Sequence, residues 1–137
     1  MKKYFIILCI LSLVGCSSSK IDIEGLEEEM DSICFLSADI FTDCGLTYSK
    51  KENLIEVKVE LSTINTDALL ESNDTETKES IKTSWRSMFS TFYLNAKKNY
   101  GVKDTDFIVS FDGTLPNGSK TTIFKIQNGE TVIDLIQ

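Results

Sequence analysis

The spacing of apolar residues predicts an α+β fold. It is a two-layer sandwich in which a mainly antiparallel sheet of about five strands carries the long second helix across one face, with the first helix either in that layer or at an edge, in the order α-β-β-α-β-β-β. Three observations predict it. Ile55, Val57, Val59 and Leu61 alternate with Glu56, Lys58 and Glu60, the period of a strand with one face buried and the other in water. Ile81, Trp85, Met88, Phe89, Phe92, Ala96 and Tyr100 recur at three- and four-residue steps, the period of a helix. Asn128-Gly129 stands between two strand-like segments, a strong two-residue hairpin signal. Alternation this clean argues against a parallel sheet covered on both faces.

The elements follow in order. Ile23, Leu26, Met30, Ile33, Leu36 and Ile40 form one apolar stripe, so a first helix is expected over about 22–38. Asp22 can cap its start, and Glu24, Glu27, Glu28 and Glu29 suit the positive end of its dipole. Leu46-Thr47-Tyr48 is a weak strand, joined by the polar turn 49–53 to the strand at 55–61 to make a hairpin. The stretch Asn65 to Thr77 reads as polar, with Asn73-Asp74 as a helix start. The long helix spans about 75–100, with Gly101 placed to end it and Val102 to close the cap with an apolar contact. Phe107, Val109 and Phe111 form the next strand, followed by a loop holding the only proline, Pro116. The last hairpin pairs 121–127 with 130–136. Its two-residue loop puts Phe124 opposite Ile133 and Ile126 opposite Thr131, with Thr122, Phe124, Ile126, Ile133 and Leu135 on one face.

A chain of 137 residues supports one domain and one core. It carries 14 basic and 21 acidic residues, no histidine, and Arg86 as its only arginine. Histidine-based acid–base catalysis and histidine-ligated metals are excluded. Nucleic-acid recognition is disfavoured, because it is built on clustered Arg and Lys.

The N-terminus reads as an address. Met1-Lys2-Lys3 is a short positive region, and Tyr4 to Val14 is an apolar run broken only by Ser12, too short to span a bilayer as a helix. It ends in Leu13-Val14-Gly15-Cys16, followed by Ser17-Ser18-Ser19. These residues resemble the signal of bacterial lipoproteins, and the resemblance covers about the first twenty residues. It implies that residues 1–15 are a signal peptide, that Cys16 becomes the lipidated N-terminus carrying diacylglyceryl and palmitate chains, and that 16–22 tether a single domain at 23–137. Ser17, rather than Asp, resembles an outer-membrane sorting signal in a Gram-negative cell; in a Gram-positive cell the anchor would sit on the outer face of the cell membrane. Losing Lys2 and Lys3 leaves 12 basic against 21 acidic residues, a net charge of −9, which an anionic lipid surface repels.

Cys34 and Cys44 remain. In an exported, oxidising compartment an even pair reads either as a disulfide, worth about 3 kcal/mol, or as two reduced buried thiols. Two cysteines without histidine supply half a zinc site, so no metal is expected. No other motif carries chemistry. Ser17-Ser18-Ser19-Lys20 matches Ser-x-x-Lys only formally, in a tether. Asp104, Asp106 and Asp112 lack the spacing of a calcium loop and read as turn carboxylates. Asn73-Asp74-Thr75 and Asn117-Gly118-Ser119 read as turn chemistry. The aromatic stripe of the long helix reads mainly as core. Its alternative is a partner patch of Trp85, Phe89, Tyr93 and Leu94. The expected function is a small lipid-anchored envelope protein, attached to the membrane through Cys16 and acting without a cofactor or enzymatic activity on a protein partner. A small-ligand pocket between the long helix and the sheet is the alternative.

Overall fold

A computed structural model describes residues 20–137. Residues 1–19, which hold the expected signal peptide and the expected lipidation site Cys16, lie outside the described residues. Three helices and five strands follow one another as α1 (Ile23–Leu36), β1 (Phe41–Ser49), β2 (Leu54–Leu61), α2 (Thr63–Glu71), α3 (Thr75–Asn99), β3 (Asp106–Thr114), β4 (Lys120–Gln127) and β5 (Glu130–Asp134). The α+β class holds, with one sheet in the order β1-β2-β3-β4-β5.

The sheet is mixed rather than wholly antiparallel. Three of its pairings are antiparallel, but β2 and β3 run parallel, with Ile55 beside Phe107 and Val59 beside Phe111. The reason is the connection: α2 and α3 carry the chain back across the sheet before β3 begins, and a crossover delivers a parallel neighbour. In register, Ile55, Val57, Val59, Phe107, Val109, Phe111, Phe124 and Ile126 line the helix-facing side and are buried. Glu56, Lys58, Glu60 and Asp112 alternate onto the other side.

Helix α3 packs on the sheet through Lys78, Lys82, Trp85, Phe89, Phe92 and Ala96, which step by four and three residues along one face. Asp74 caps its start by accepting from the Thr77 amide (3.1 Å), and the hydrogen bonds from Thr77 hold the Asp74 carboxyl below its ordinary value of 3.8. At its other end Val102 donates its amide to the Ala96 carbonyl (3.3 Å) and is fully buried, while Gly101 takes φ +77. A Cβ on Gly101 would also stand 2.5 Å from the Lys20 carbonyl oxygen, so this glycine is needed both for its left-handed backbone and for the close crossing of the N-terminal strand of chain.

Helix α1 runs antiparallel to α3. Asp22 donates its amide to the Tyr100 carbonyl (2.9 Å), and Asn95 Nδ2 donates to both oxygens of Glu29 (2.7 Å). The Glu29 carboxylate beside it pushes the Tyr100 phenol above its ordinary value of 10.0. Ile21 packs on the core and Asp22 is the N-cap of α1, so the packed body already includes two residues assigned by sequence to the tether.

Strand β5 departs from its predicted register. Ile126 faces Thr131 as expected, but a bulge follows, so Phe124 faces Asp134 and Lys125 faces Ile133. One extra residue reverses every side chain beyond it. Ile133 leaves the core face and Leu135 is exposed, while Asp134 turns inward and Ile136 is buried. Asp134 meets Lys82, which is buried: Nζ lies 2.8 Å from the carboxylate, and Glu79 completes the pair from the same helix. Such an inward charge on an edge strand also discourages edge-to-edge pairing with another sheet.

Burial alone would lower the Lys82 pKa. The hydrogen bonds to Asp134 and Glu79 outweigh it and hold the ammonium above its ordinary 10.5. Its contribution to stability is complete below about pH 10.5 and is lost as pH rises through the higher folded value. Asp134→Ala is expected to destabilise by about 2 kcal/mol in urea unfolding, because it strips a partner from a buried cation. Lys82→Met is expected to be near neutral at pH 7, since the remaining carboxylates, 30% and 55% exposed, can hydrate. An Asp134→Ala midpoint equal to wild type would contradict this account of β5.

Candidate functional site

The predicted partner patch does not form. Trp85 and Phe89 are each 2% exposed: Trp85 stacks on Phe111 at 4.3 Å, and Phe89 meets Phe111 edge-on at 5.4 Å. Helix-to-sheet packing claims both rings because they occupy the centre of the stripe that faces the sheet. Tyr93 is half-buried against Phe107 (5.0 Å), with Lys97 Nζ 4.5 Å over its ring. Of the four, only Leu94 stands exposed, alone on its turn of α3.

The other sequence features fall as follows. Cys34 and Cys44 come to disulfide distance, with Cα atoms 6.2 Å apart, joining the last turn of α1 to β1. Asp106 and Asp112 accept hydrogen bonds from Asn128 Nδ2 (3.1 Å) and Thr122 Oγ1 (2.7 Å), and Asn117 Oδ1 accepts from the Ser119 amide (3.0 Å). Among the described residues no three carboxylates or thiols converge as a metal site. No helix among them is long and apolar enough to cross a membrane.

A concave feature among the described residues lies elsewhere, between α2, α3 and the turn before β1. Sequence reading missed α2. Nine residues bury only Thr66 and Leu69, too few to leave a readable stripe. The signal present was Ser62, whose side chain accepts from the Asn65 amide (3.2 Å) as an N-cap. Two contacts fix where the helix sits. Thr66 Oγ1 donates to the Ser62 carbonyl (2.7 Å) and accepts from the Thr114 amide (3.1 Å), which ties α2 to the end of β3. Gly113 makes room for it, since a Cβ there would stand 2.5 Å from Thr66 Cγ2. Asn65 Nδ2 then donates to the carbonyls of Asp39 (3.4 Å) and Ile40 (3.2 Å), holding the turn before β1 against α2.

The result is an open cleft of about 490 Å³ with a mainly apolar lining, formed by Ile40, Ala68, Leu69, Ile81 and Trp85. Asp67 and Glu71 stand one helical turn apart on α2 at its edge. Lys78, the one cation of the lining, is buried, and its Nζ donates to the carbonyls of Gln137 (2.7 Å) and Leu70 (3.5 Å). Ile40 is 40% exposed, and Ile64 on the first turn of α2 is 81% exposed. The α1 stripe runs out in the same region. Leu26 and Met30 are buried, but Phe35 and Leu36 are 81% and 84% exposed. Leu36 and Ile40, placed by their spacing on a buried stripe, are uncovered.

All of this lies at one end of the molecule. The Lys20–Asp22 segment is held at the other, beside Tyr100 and Gly101. From Ile81 to Tyr100 the separation along α3 is about 28 Å at 1.5 Å per residue.

The chain matches no family model, no curated protein and no solved structure. The geometry and the residues alone carry the functional reading.

Proposed function

We propose that the chain is a lipid-anchored cell-envelope protein, held in the membrane through lipid on Cys16, that acts as a non-enzymatic interaction module on a protein partner. One observation supports it above others: the chain passes toward Cys16 at one end of α3, while the uncovered apolar residues and the cleft occupy the opposite end. The five Cα steps from Cys16 to Ile21 can span at most about 17 Å. An acidic body on so short a tether is repelled by the lipid surface and stands off it, which leaves the far end free for a partner. The anchor would sit in the outer membrane of a Gram-negative cell or on the outer face of a Gram-positive cell membrane.

A second reading has its own observation. A volume of about 490 Å³ falls within the range of small-molecule pockets, so the cleft can be read as a ligand site. A ligand bound only by the folded state raises the melting temperature in proportion to the logarithm of its concentration, which a thermal-shift screen detects.

The test of the first reading is membrane fractionation followed by in-cell crosslinking of wild type and Cys16→Ala. Wild type is expected in the membrane fraction, crosslinked to one envelope protein. Cys16→Ala is expected to be soluble and to lose that product. A variant that stays membrane-bound contradicts the anchor, and the absence of any specific product from wild type contradicts the partner.

A further inference from the structure

The chemistry of the cleft indicates what kind of partner fits it, an inference that rests on the partner-binding reading above. Its walls are α2, the first half of α3 and the turn before β1, and its apolar lining is Ile40, Ala68, Leu69, Ile81 and Trp85. The length of α2, nine residues, gives a groove of roughly 13 Å, or two to three turns of a docked helix. Its edge is acidic, through Asp67 and Glu71, while Lys78 is turned to backbone carbonyls and offers nothing to an incoming carboxylate. The body as a whole is acidic, which disfavours a second copy of the same chain as the occupant.

We propose that the cleft receives the apolar face of a short amphipathic helix of an envelope protein whose flanking positions are Lys or Arg. Two or three aliphatic side chains at i, i+3 or i+4 and i+7 enter between α2 and α3, and the basic flanks pair with Asp67 and Glu71. Burial of the aliphatic anchors supplies affinity, and the acidic edge supplies orientation and a faster, salt-sensitive encounter.

Trp85 lines the cleft and is the only tryptophan, so its fluorescence reports occupancy directly. The probes are three Trp-free 14-residue peptides added to the 20–137 body: an amphipathic Leu/Lys helix, its Leu/Glu counterpart, and a Leu/Lys sequence of the same composition with the periodicity scrambled. The amphipathic Leu/Lys helix is expected to give a saturable Trp85 response at least tenfold tighter than either of the others. Ala68→Lys, an exposed mid-helix change, is expected to weaken it at least tenfold by placing a long cationic side chain over the cleft. The pair Asp67→Lys and Glu71→Lys is expected to reverse the preference toward the Leu/Glu peptide. Melting curves of each variant separate loss of binding from loss of fold.

Equal binding of the scrambled peptide overturns the proposal, since it would be adsorption to an acidic body. So does binding untouched by Ala68→Lys, or the absence of a saturable Trp85 response. A concentration-dependent dimer that Ala68→Lys abolishes overturns it in favour of a second copy as occupant. If the peptides fail while crosslinking in cells still recovers an envelope partner, the cleft assignment falls and the partner-binding reading stands. If both fail, both readings fall.

Discussion

Phe111→Ala is expected to cost about 3–5 kcal/mol of folding free energy, the range for truncating a fully buried aromatic residue. Phe111 is 0% exposed and is the hub of the aromatic core. Its ring stacks on Trp85 at 4.3 Å and 9°, meets Phe89 edge-on at 5.4 Å, and lies 5.7 Å from Phe124 and 6.0 Å from Phe41. Removing it opens a cavity between the sheet and α3 that none of these large rings can fill without leaving its rotamer. Against a total stability of about 5–15 kcal/mol the loss is a large fraction. The melting temperature should fall by more than about 10 °C. Leu94→Ala, on the exposed side of the same helix, is expected to change stability by less than about 0.5 kcal/mol. Urea unfolding monitored by Trp85 fluorescence measures both. A Phe111→Ala loss below about 1 kcal/mol would contradict this description of the core.

Breaking the Cys34–Cys44 link is expected to have the next largest effect. The two residues are 10 apart in sequence, and closing a loop of that size restricts the unfolded chain by about 3 kcal/mol. The closed loop contains Phe35, Leu36 and Ile40, so the link also holds the last turn of α1 and one wall of the cleft. Cys44→Ser, or reduction of the wild type, is expected to lower stability by about that amount. It is also expected to speed amide exchange in the last turn of α1 and the turn before β1, with α3 little changed. Protein isolated from cells should show no reactive thiol at either position. Two titratable thiols, together with a Cys44→Ser midpoint equal to wild type, would contradict the link.

Much of the scaffold was legible in the sequence. The long helix, predicted at about 75–100, spans Thr75–Asn99, and the strand predicted at 55–61 spans Leu54–Leu61. Both carry strong periodicity, and the helix also has clear end signals in Asp74, Gly101 and Val102. What was not legible shares one physical cause: it depends on contacts between segments distant in the chain. Lysine is seldom fully buried, yet the alkyl stems of Lys78 and Lys82 lie in the core and their ammonium groups are satisfied by Asp134, Glu79 and nearby carbonyls. The β5 bulge that turns Asp134 inward leaves no trace in an alternating sequence. The parallel β2–β3 pair follows from the crossover through α2 and α3, of which only α3 was announced by its periodicity. The cleft was illegible for the same reason, since its walls come from three segments that only the fold brings together. One clue was present: Leu36 and Ile40 continue the apolar stripe of α1, and the fold leaves them uncovered.

We propose that the end of the molecule opposite the Lys20–Asp22 segment is its working surface. Site-resolved photocrosslinking in cells tests it most directly. A photoreactive residue is placed in turn at Ile64, Ala68 and Leu36 on that end, and at Lys58 and Leu94 away from it, in the full-length protein. The same envelope protein is expected to crosslink from Ile64, Ala68 and Leu36, and not from Lys58 or Leu94. A product formed from Lys58 or Leu94 and absent from all three cleft-end positions would contradict the claim.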